Sequence, residues 1–132
     1  MATFFCPSCW GEISPILEKC PLCGFILARY DQLTFEEKLL GSLHHPVFER
    51  RVMAARILGF LKSHRALAPF KEILSADNTD YYFARAILEA IDQIDHPESR
   101  LILEKATSHR IELIRELARE LIDRKKEPDV RG

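Results

Sequence analysis

From Thr34 onward, apolar residues recur every three or four positions along the chain, which is the spacing of helices that each bury one face. Thr34 followed three residues later by Glu37 is a capping-box signature for a helix start, and Thr79 or Asp80 is suited to cap a later helix. The pattern predicts six helices, at about residues 34–45, 46–62, 64–75, 80–94, 97–107 and 109–126.

The second predicted helix is apolar on more than one side. Helical spacing predicts burial of Met53, Ala54, Ile57, Leu58 and Leu61, and Phe48, Val52, Ala55 and Phe60 are expected to extend the burial round the sides of the same helix. A helix with this pattern needs neighbours on more than one face.

The predicted helices alternate between short and long, which suggests an internal repeat. At a shift of 30 residues Leu58, Leu88 and Ala118 superpose, as do Ala54, Ala84 and Ile114. No single helix pair can bury its apolar faces, but a stack of pairs can. We therefore expect an all-α fold, a short α-solenoid of about three helix pairs.

All four cysteines precede the helices, as two Cys-x-x-Cys pairs at Cys6, Cys9, Cys20 and Cys23. Two such pairs suit one tetrahedral Zn²⁺, because each turn directs both of its sulfurs inward. Two disulfides or a redox dithiol pair are the alternatives, and iron fits the same four-thiolate cage. Because all four positions are cysteines, no ligand position is open to water, so we expect one structural zinc ion.

The cysteine segment resembles the short bacterial zinc ribbons of the form C-P-x-C-G-x-x-I-x(6)-C-P-x-C-G, over about residues 3–28. Ile13 matches the isoleucine of that pattern, and Trp10 stands where the pattern has glycine. The flanking strand positions hold Phe4, Phe5, Phe25, Ile26 and Leu27.

The helical region resembles the short HEAT-like repeats first named for phycobilisome lyases, over about residues 34–124. The resemblance rests on Leu39–Pro46, on Arg51–Gly59 with its Arg-x-x-Ala-Ala-x-x-Leu-Gly spacing, and on Leu67-Ala68-Pro69. It implies a HEAT-like solenoid and says little about function, because these repeats serve lyases, adaptors and enzyme subunits. We expect a zinc ribbon at 1–30, HEAT-like repeats at 31–126 and a frayed tail at 127–132.

The overall charge gives no general attraction to nucleic acid or anionic lipid. Nineteen basic and 20 acidic residues give a net charge of −1, and neither half of the chain is a polybasic arm. No apolar run approaches the roughly 20 residues of a membrane span, and no signal-peptide pattern opens the chain. We expect no membrane association and a cytoplasmic location.

No catalytic motif combines an acid, a base and a nucleophile, and all five histidines fall at predicted helix boundaries. We therefore expect a non-enzymatic protein-interaction or adaptor module whose partner is another protein. The candidate partner-binding residues are Trp10, Arg51, Tyr81, Arg85, Glu89, Arg115 and Arg119. The alternative is a nucleic-acid-binding protein that uses the ribbon and the basic residues of the helices.

The ribbon carries more apolar side chains than so small a lobe can bury. We expect it to dock on the first helix near Phe35, Leu39 and Leu43 and to cap the array. In the alternative the ribbon is mobile and Trp10 is an exposed anchor for a partner.

Overall fold

The structure, a computed structural model, describes residues 4–14 and 17–126, so the predicted tail at 127–132 lies outside the described residues. Two short strands, β1 (Phe4–Phe5) and β2 (Glu12–Ile13), pair antiparallel, with Phe4 opposite Ile13. A 3₁₀ helix, Leu27–Gln32, follows the second cysteine pair.

The rest of the described chain is mainly helical, as expected from the apolar spacing. A 3₁₀ turn at His64–Ala66 leads directly into the third helix. The α-helices are α1 (Phe35–Ser42), α2 (Phe48–Phe60), α3 (Leu67–Ser75), α4 (Tyr81–Ile94), α5 (Pro97–Ala106) and α6 (Glu112–Lys126).

Side chains cap the N-terminal ends of α1 and α4. The Thr34 hydroxyl accepts the Glu37 N–H, and the Glu37 carboxylate accepts the Thr34 N–H, which confirms the predicted capping box. At α4 the Asp80 carboxylate accepts the N–H groups of Tyr82 and Phe83. Of the two residues considered at this position, Asp80 is the cap.

The burial predicted for the second helix, over about 46–62, is wrong at three positions. Met53, Phe60 and Leu61 are 60%, 77% and 47% exposed, whereas Ala54 and Leu58 are buried as expected. The helix carries apolar residues around more of its circumference than its neighbours cover. Periodicity identified the buried side of α2 and could not distinguish it from the apolar residues left in solvent.

The chain divides into two compact units, Met1–Ala54 and Ala55–Gly132, with the division inside α2. We call them the N-terminal and C-terminal units. The predicted boundary near residue 30 stays a prediction. The core of the C-terminal unit includes Leu58, Leu67, Phe70, Ile87, Leu88, Ile91, Leu103 and Ile114, all 1% exposed or less. Among the described residues, no helix is long and apolar enough to cross a membrane.

The residues that superpose at a shift of 30 are all buried: Leu58, Leu88 and Ala118, and Ala54, Ala84 and Ile114. The longer helices that carry them begin at Phe48, Tyr81 and Glu112, which are 33 and 31 residues apart. Helix starts therefore vary more than the buried positions.

Candidate metal centre and binding grooves

The first Cys-x-x-Cys pair lies in a tight turn beside the β-hairpin. The Cys6 N–H donates to the Gly11 carbonyl over 2.9 Å, and the Trp10 N–H donates to the Cys6 carbonyl over 2.8 Å. Two further N–H groups point at sulfur, Ser8 N at 3.3 Å from Cys6 Sγ and Gly11 N at 3.4 Å from Cys9 Sγ. Such bonds favour the thiolate, which is the form that binds a metal.

The second pair repeats this arrangement. The Cys20 N–H donates to the Phe25 carbonyl and the Gly24 N–H donates to the Cys20 carbonyl, both over 2.9 Å. Leu22 N lies 3.3 Å from Cys20 Sγ. Two turns with equivalent hydrogen bonds therefore hold the four cysteines.

Trp10 and Gly24 occupy equivalent places in the two turns, four residues after Cys6 and Cys20. Both adopt a positive φ, 61° at Trp10 and 84° at Gly24. Glycine adopts this conformation without steric cost, whereas a bulky side chain loses about 1–2 kcal/mol. Contacts of the Trp10 side chain must therefore offset the strain of its backbone.

The four sulfurs converge on one point. Cys6 Sγ and Cys23 Sγ are 3.6 Å apart, Cys9 Sγ and Cys20 Sγ are 3.8 Å apart, and all four atoms lie within 4.8 Å of one another. A tetrahedron with metal–sulfur bonds of about 2.3 Å has edges of about 3.8 Å. The cysteines are thus positioned to hold one metal ion, with Cys6 and Cys20 buried and Cys9 and Cys23 exposed.

Protonation differs across the cluster. The Gly11 N–H favours the Cys9 thiolate, but desolvation and the three neighbouring cysteine sulfurs outweigh it and raise the pKa of Cys9 to about 11. Burial raises the pKa of Cys20, but backbone hydrogen bonds from Cys23 and Leu22, together with nearby thiols, lower it to about 7. Four negative sulfurs repel one another at this separation, so a bound cation is what allows all of them to be thiolates.

The turn that carries Cys6 and Cys9 contacts α1 through Trp10. Its indole Nε1–H donates to the Gly41 carbonyl over 2.9 Å, and its ring lies 4.6 Å from the His45 ring. The Phe5 ring meets the same imidazole edge-on at 5.9 Å. These contacts confirm docking on the α1 side, although Phe35, predicted to take part, is 58% exposed.

The imidazole of His45 is neutral in this setting. Burial, followed by the positive charges of Arg50 and Arg51, lowers its pKa. Its Nδ1 accepts the Val47 N–H over 2.9 Å, which places the ring proton on Nε2.

Beside Trp10 the N-terminal unit has a groove of about 500 Å³, which we call the aromatic groove. Phe4 and Leu17 are 48% and 38% exposed within it. It is lined by Phe4, Phe5, Pro7, Trp10, Leu17, Leu27, Tyr30, Asp31, Ser42, His45 and Arg50. Sequence reasoning placed the apolar residues in the ribbon and missed the groove, because Tyr30, His45 and Arg50 come from three other segments.

Two of the candidate partner-binding arginines donate hydrogen bonds to backbone carbonyls six residues earlier in the chain. Arg51 Nη1 donates to the His45 carbonyl over 2.8 Å, and Arg115 Nη1 donates to the His109 carbonyl over 2.7 Å. Both side chains are only partly exposed. Each arginine joins the start of its helix to the loop before it.

Of the candidates in the C-terminal unit, Tyr81, Arg85 and Glu89 lie together along α4, and both Tyr81 and Glu89 interact with Arg85. Arg85 and Glu89 form an exposed ion pair at 2.9 Å, and Tyr81 contacts Tyr82 with ring centroids 5.2 Å apart. Arg119 lines a different groove. The groove that holds the ion pair also includes Arg56, Phe60, Ala86, Ala90, Asp92, Gln93, Leu117, Glu120, Leu121 and Arg124.

Histidines predicted at helix boundaries act as caps. His96 Nδ1 accepts the Glu98 N–H over 3.1 Å, and His109 Nδ1 accepts the Ile111 N–H over 3.0 Å. The opposite nitrogen of His109 bonds to the Leu74 carbonyl at 2.9 Å.

Comparison with protein-family models, curated proteins and solved structures finds no match to this chain. What the residues themselves define is a chain with a zinc-ribbon-like cluster of four cysteines that could hold a metal ion, followed by a helical region.

Proposed function

We propose that this protein is a non-enzymatic adaptor that binds another protein, with a structural Zn²⁺ centre and a HEAT-like array of three helix pairs. The observation that carries the proposal is the aromatic groove beside Trp10. Partly exposed aromatic and aliphatic side chains around a concave surface are typical of protein recognition.

Zinc is the proposed occupant of the cysteine cluster. Cys6, Cys9, Cys20 and Cys23 supply four sulfurs at tetrahedral separations, and zinc prefers this donor set and geometry. With four protein ligands the ion has no position for a substrate or water. Its role is to hold two turns that are too short to have their own core.

The HEAT-like arrangement is supported by a repeated contact. His45 with Arg51, and His109 with Arg115, form the same pair of bonds at the starts of the first and third long helices. In both, the histidine Nδ1 accepts the N–H two residues later and the arginine six residues later bonds to the histidine carbonyl. Such a shared local structure is expected of repeats with a common ancestor.

A non-enzymatic role is consistent with how the polar groups are used. His96 and His109 are bonded to backbone atoms at helix starts, and His45 is bonded in the same way. The cysteines face one another. These groups serve to hold the fold in the arrangement described.

The test is affinity capture from native lysate on the purified chain, with and without nuclease treatment. We expect nuclease-resistant proteins that wild type retains and that Phe4→Asp loses, because Phe4 is 48% exposed in the groove. Phe35→Asp is the matched control, since Phe35 is 58% exposed on α1 and does not line the groove. Loss of all captured material on nuclease treatment would favour nucleic-acid binding instead.

A further inference from the structure

The aromatic groove joins four aromatic rings with a proline and two leucines. Phe4, Phe5, Trp10 and Tyr30 line it, and Lys38 Nζ lies 4.8 Å from the centre of the Tyr30 ring. The Trp10 indole N–H is already bonded to the Gly41 carbonyl, and the partly exposed side chain lines the groove with its ring. Flat rings of this kind stack well on pyrrolidine rings, and aromatic-lined grooves are a recurring site for proline-rich segments.

Hydrogen-bond donors accompany the rings. His45 carries its proton on Nε2, because Nδ1 accepts the Val47 N–H. Arg50 is exposed, lines the groove, and forms no ion pair with any other residue that the structure describes. A polyproline II segment has no internal hydrogen bonds, so its backbone carbonyls accept such donors.

The charge of the groove selects between classes of ligand. The ionised residues that line it are Arg50 and Asp31, Lys38 lies against the Tyr30 ring, and His45 adds no charge when neutral. Two cations beside one anion are too few to hold a polyanion by charge alone, whereas the rings accommodate a neutral chain rich in apolar rings.

We infer that the aromatic groove binds proline-rich segments of a partner protein in the polyproline II conformation, with the proline rings on the aromatic side chains and the carbonyls facing Arg50 and His45. This inference rests on the proposed adaptor function. It narrows the partner to proteins with an extended, proline-rich segment, whose low conformational entropy reduces the cost of binding.

Trp10 is the only tryptophan of the chain, so its fluorescence reports on the groove without a label. The full-length, zinc-loaded protein would be titrated with a capped decaproline peptide, a capped Gly-Ser peptide of equal length, and a single-stranded oligothymidine. We expect a saturable change with decaproline below about 1 mM, the weak end of specific binding. No change is expected with the other two probes.

Variants locate the site. Phe4→Ala and Leu17→Ala should each weaken decaproline binding several-fold, while Phe35→Ala, which is 58% exposed but outside the groove, should leave it unchanged. Zinc content and helical circular dichroism confirm that each variant is folded, and the partly exposed Leu17 supplies the test if Phe4→Ala does not fold.

Three results would overturn the inference: no response to decaproline, an equal response to the Gly-Ser peptide, or a response only to oligothymidine. If affinity capture still yields partners that Phe4→Asp loses, while decaproline does not bind, the adaptor function stands and the polyproline assignment fails.

Discussion

The indole Nε1 of Trp10 donates a hydrogen bond to the carbonyl oxygen of Gly41, near the end of α1, over 2.9 Å. This contact joins the residue that follows Cys9 to a residue of α1 that lies 31 positions further along the chain. It also accounts for a bulky side chain at a position whose φ of 61° favours glycine.

Trp10→Phe should destabilise the protein by about 1 kcal/mol, the usual contribution of one partly buried hydrogen bond. The aromatic surface is kept while the donor to Gly41 is lost. The free energy of unfolding, measured by urea titration with circular dichroism, checks this. Trp10→Gly serves as the companion variant, since it relieves the backbone strain and removes the ring. If it were as stable as wild type, the side-chain contacts would add nothing beyond offsetting that strain.

Purified protein should contain one zinc per chain, with four sulfurs at about 2.3 Å in X-ray absorption. Chelation of the metal should unfold the two turns that carry the cysteines but leave most of the helical circular dichroism signal, because α3–α6 lie in a separate compact unit. Cys20→Ser should lower zinc content, as it replaces a buried ligand. Disulfides among the four cysteines in freshly purified protein would contradict the assignment.

The stability of the zinc-loaded protein should fall on mild acidification because of His45. Its pKa is lowered in the folded state, so unfolding takes up a proton as the pH decreases. The contribution of neutral His45 to the free energy of unfolding is complete above the unfolded-state pKa of about 6.5. It is lost progressively as the pH falls towards the lower pKa of the folded state. His45→Gln should flatten this dependence when melting is followed between about pH 7.5 and 5.5. Zinc content measured at each pH separates this effect from loss of metal.

Arg115→Met should cost about 1–2 kcal/mol of stability, because the guanidinium bond to the His109 carbonyl is lost. Arg119→Met is the control on the same helix, since Arg119 is exposed. Chemical denaturation of both variants checks the difference. If the two variants were equally stable, the bond from Arg115 would not stabilise the fold, and Arg115 would remain a candidate for partner binding as the sequence predicted.

Gly59→Ala should destabilise the C-terminal unit by about 1–3 kcal/mol. A Cβ on Gly59 would lie 2.7 Å from both Cα and Cβ of Ala90, so α2 and α4 would have to separate. Gly41→Ala is the matched control inside α1. Its nearest contact would be the Pro7 carbonyl at an ordinary 3.7 Å, and alanine favours helix, so it should be neutral or stabilising. Thermal melting of the two variants distinguishes these outcomes.

Local chemistry accounts for what the sequence alone determined. The spacing of Cys6, Cys9, Cys20 and Cys23 predicted the metal centre, because two short turns with the same residue pattern form the same local bonds. Helix ranges followed from apolar periodicity, and the Thr34–Glu37 capping box followed from the reach of two side chains along one segment.

Only the tertiary structure decided which side chains remain in solvent and which meet across the chain. Phe60 and Leu58 are both apolar residues of α2, yet one is exposed and the other buried, because exposure depends on the elements packed around the helix. Arg51 and Arg115 were predicted to contact a partner because they are charged residues on long helices, but their guanidinium groups bond to backbone carbonyls of the same chain. The aromatic groove draws Trp10, Tyr30 and Arg50 from separate segments. Periodicity describes each helix by itself, whereas a groove exists only where several segments pack together.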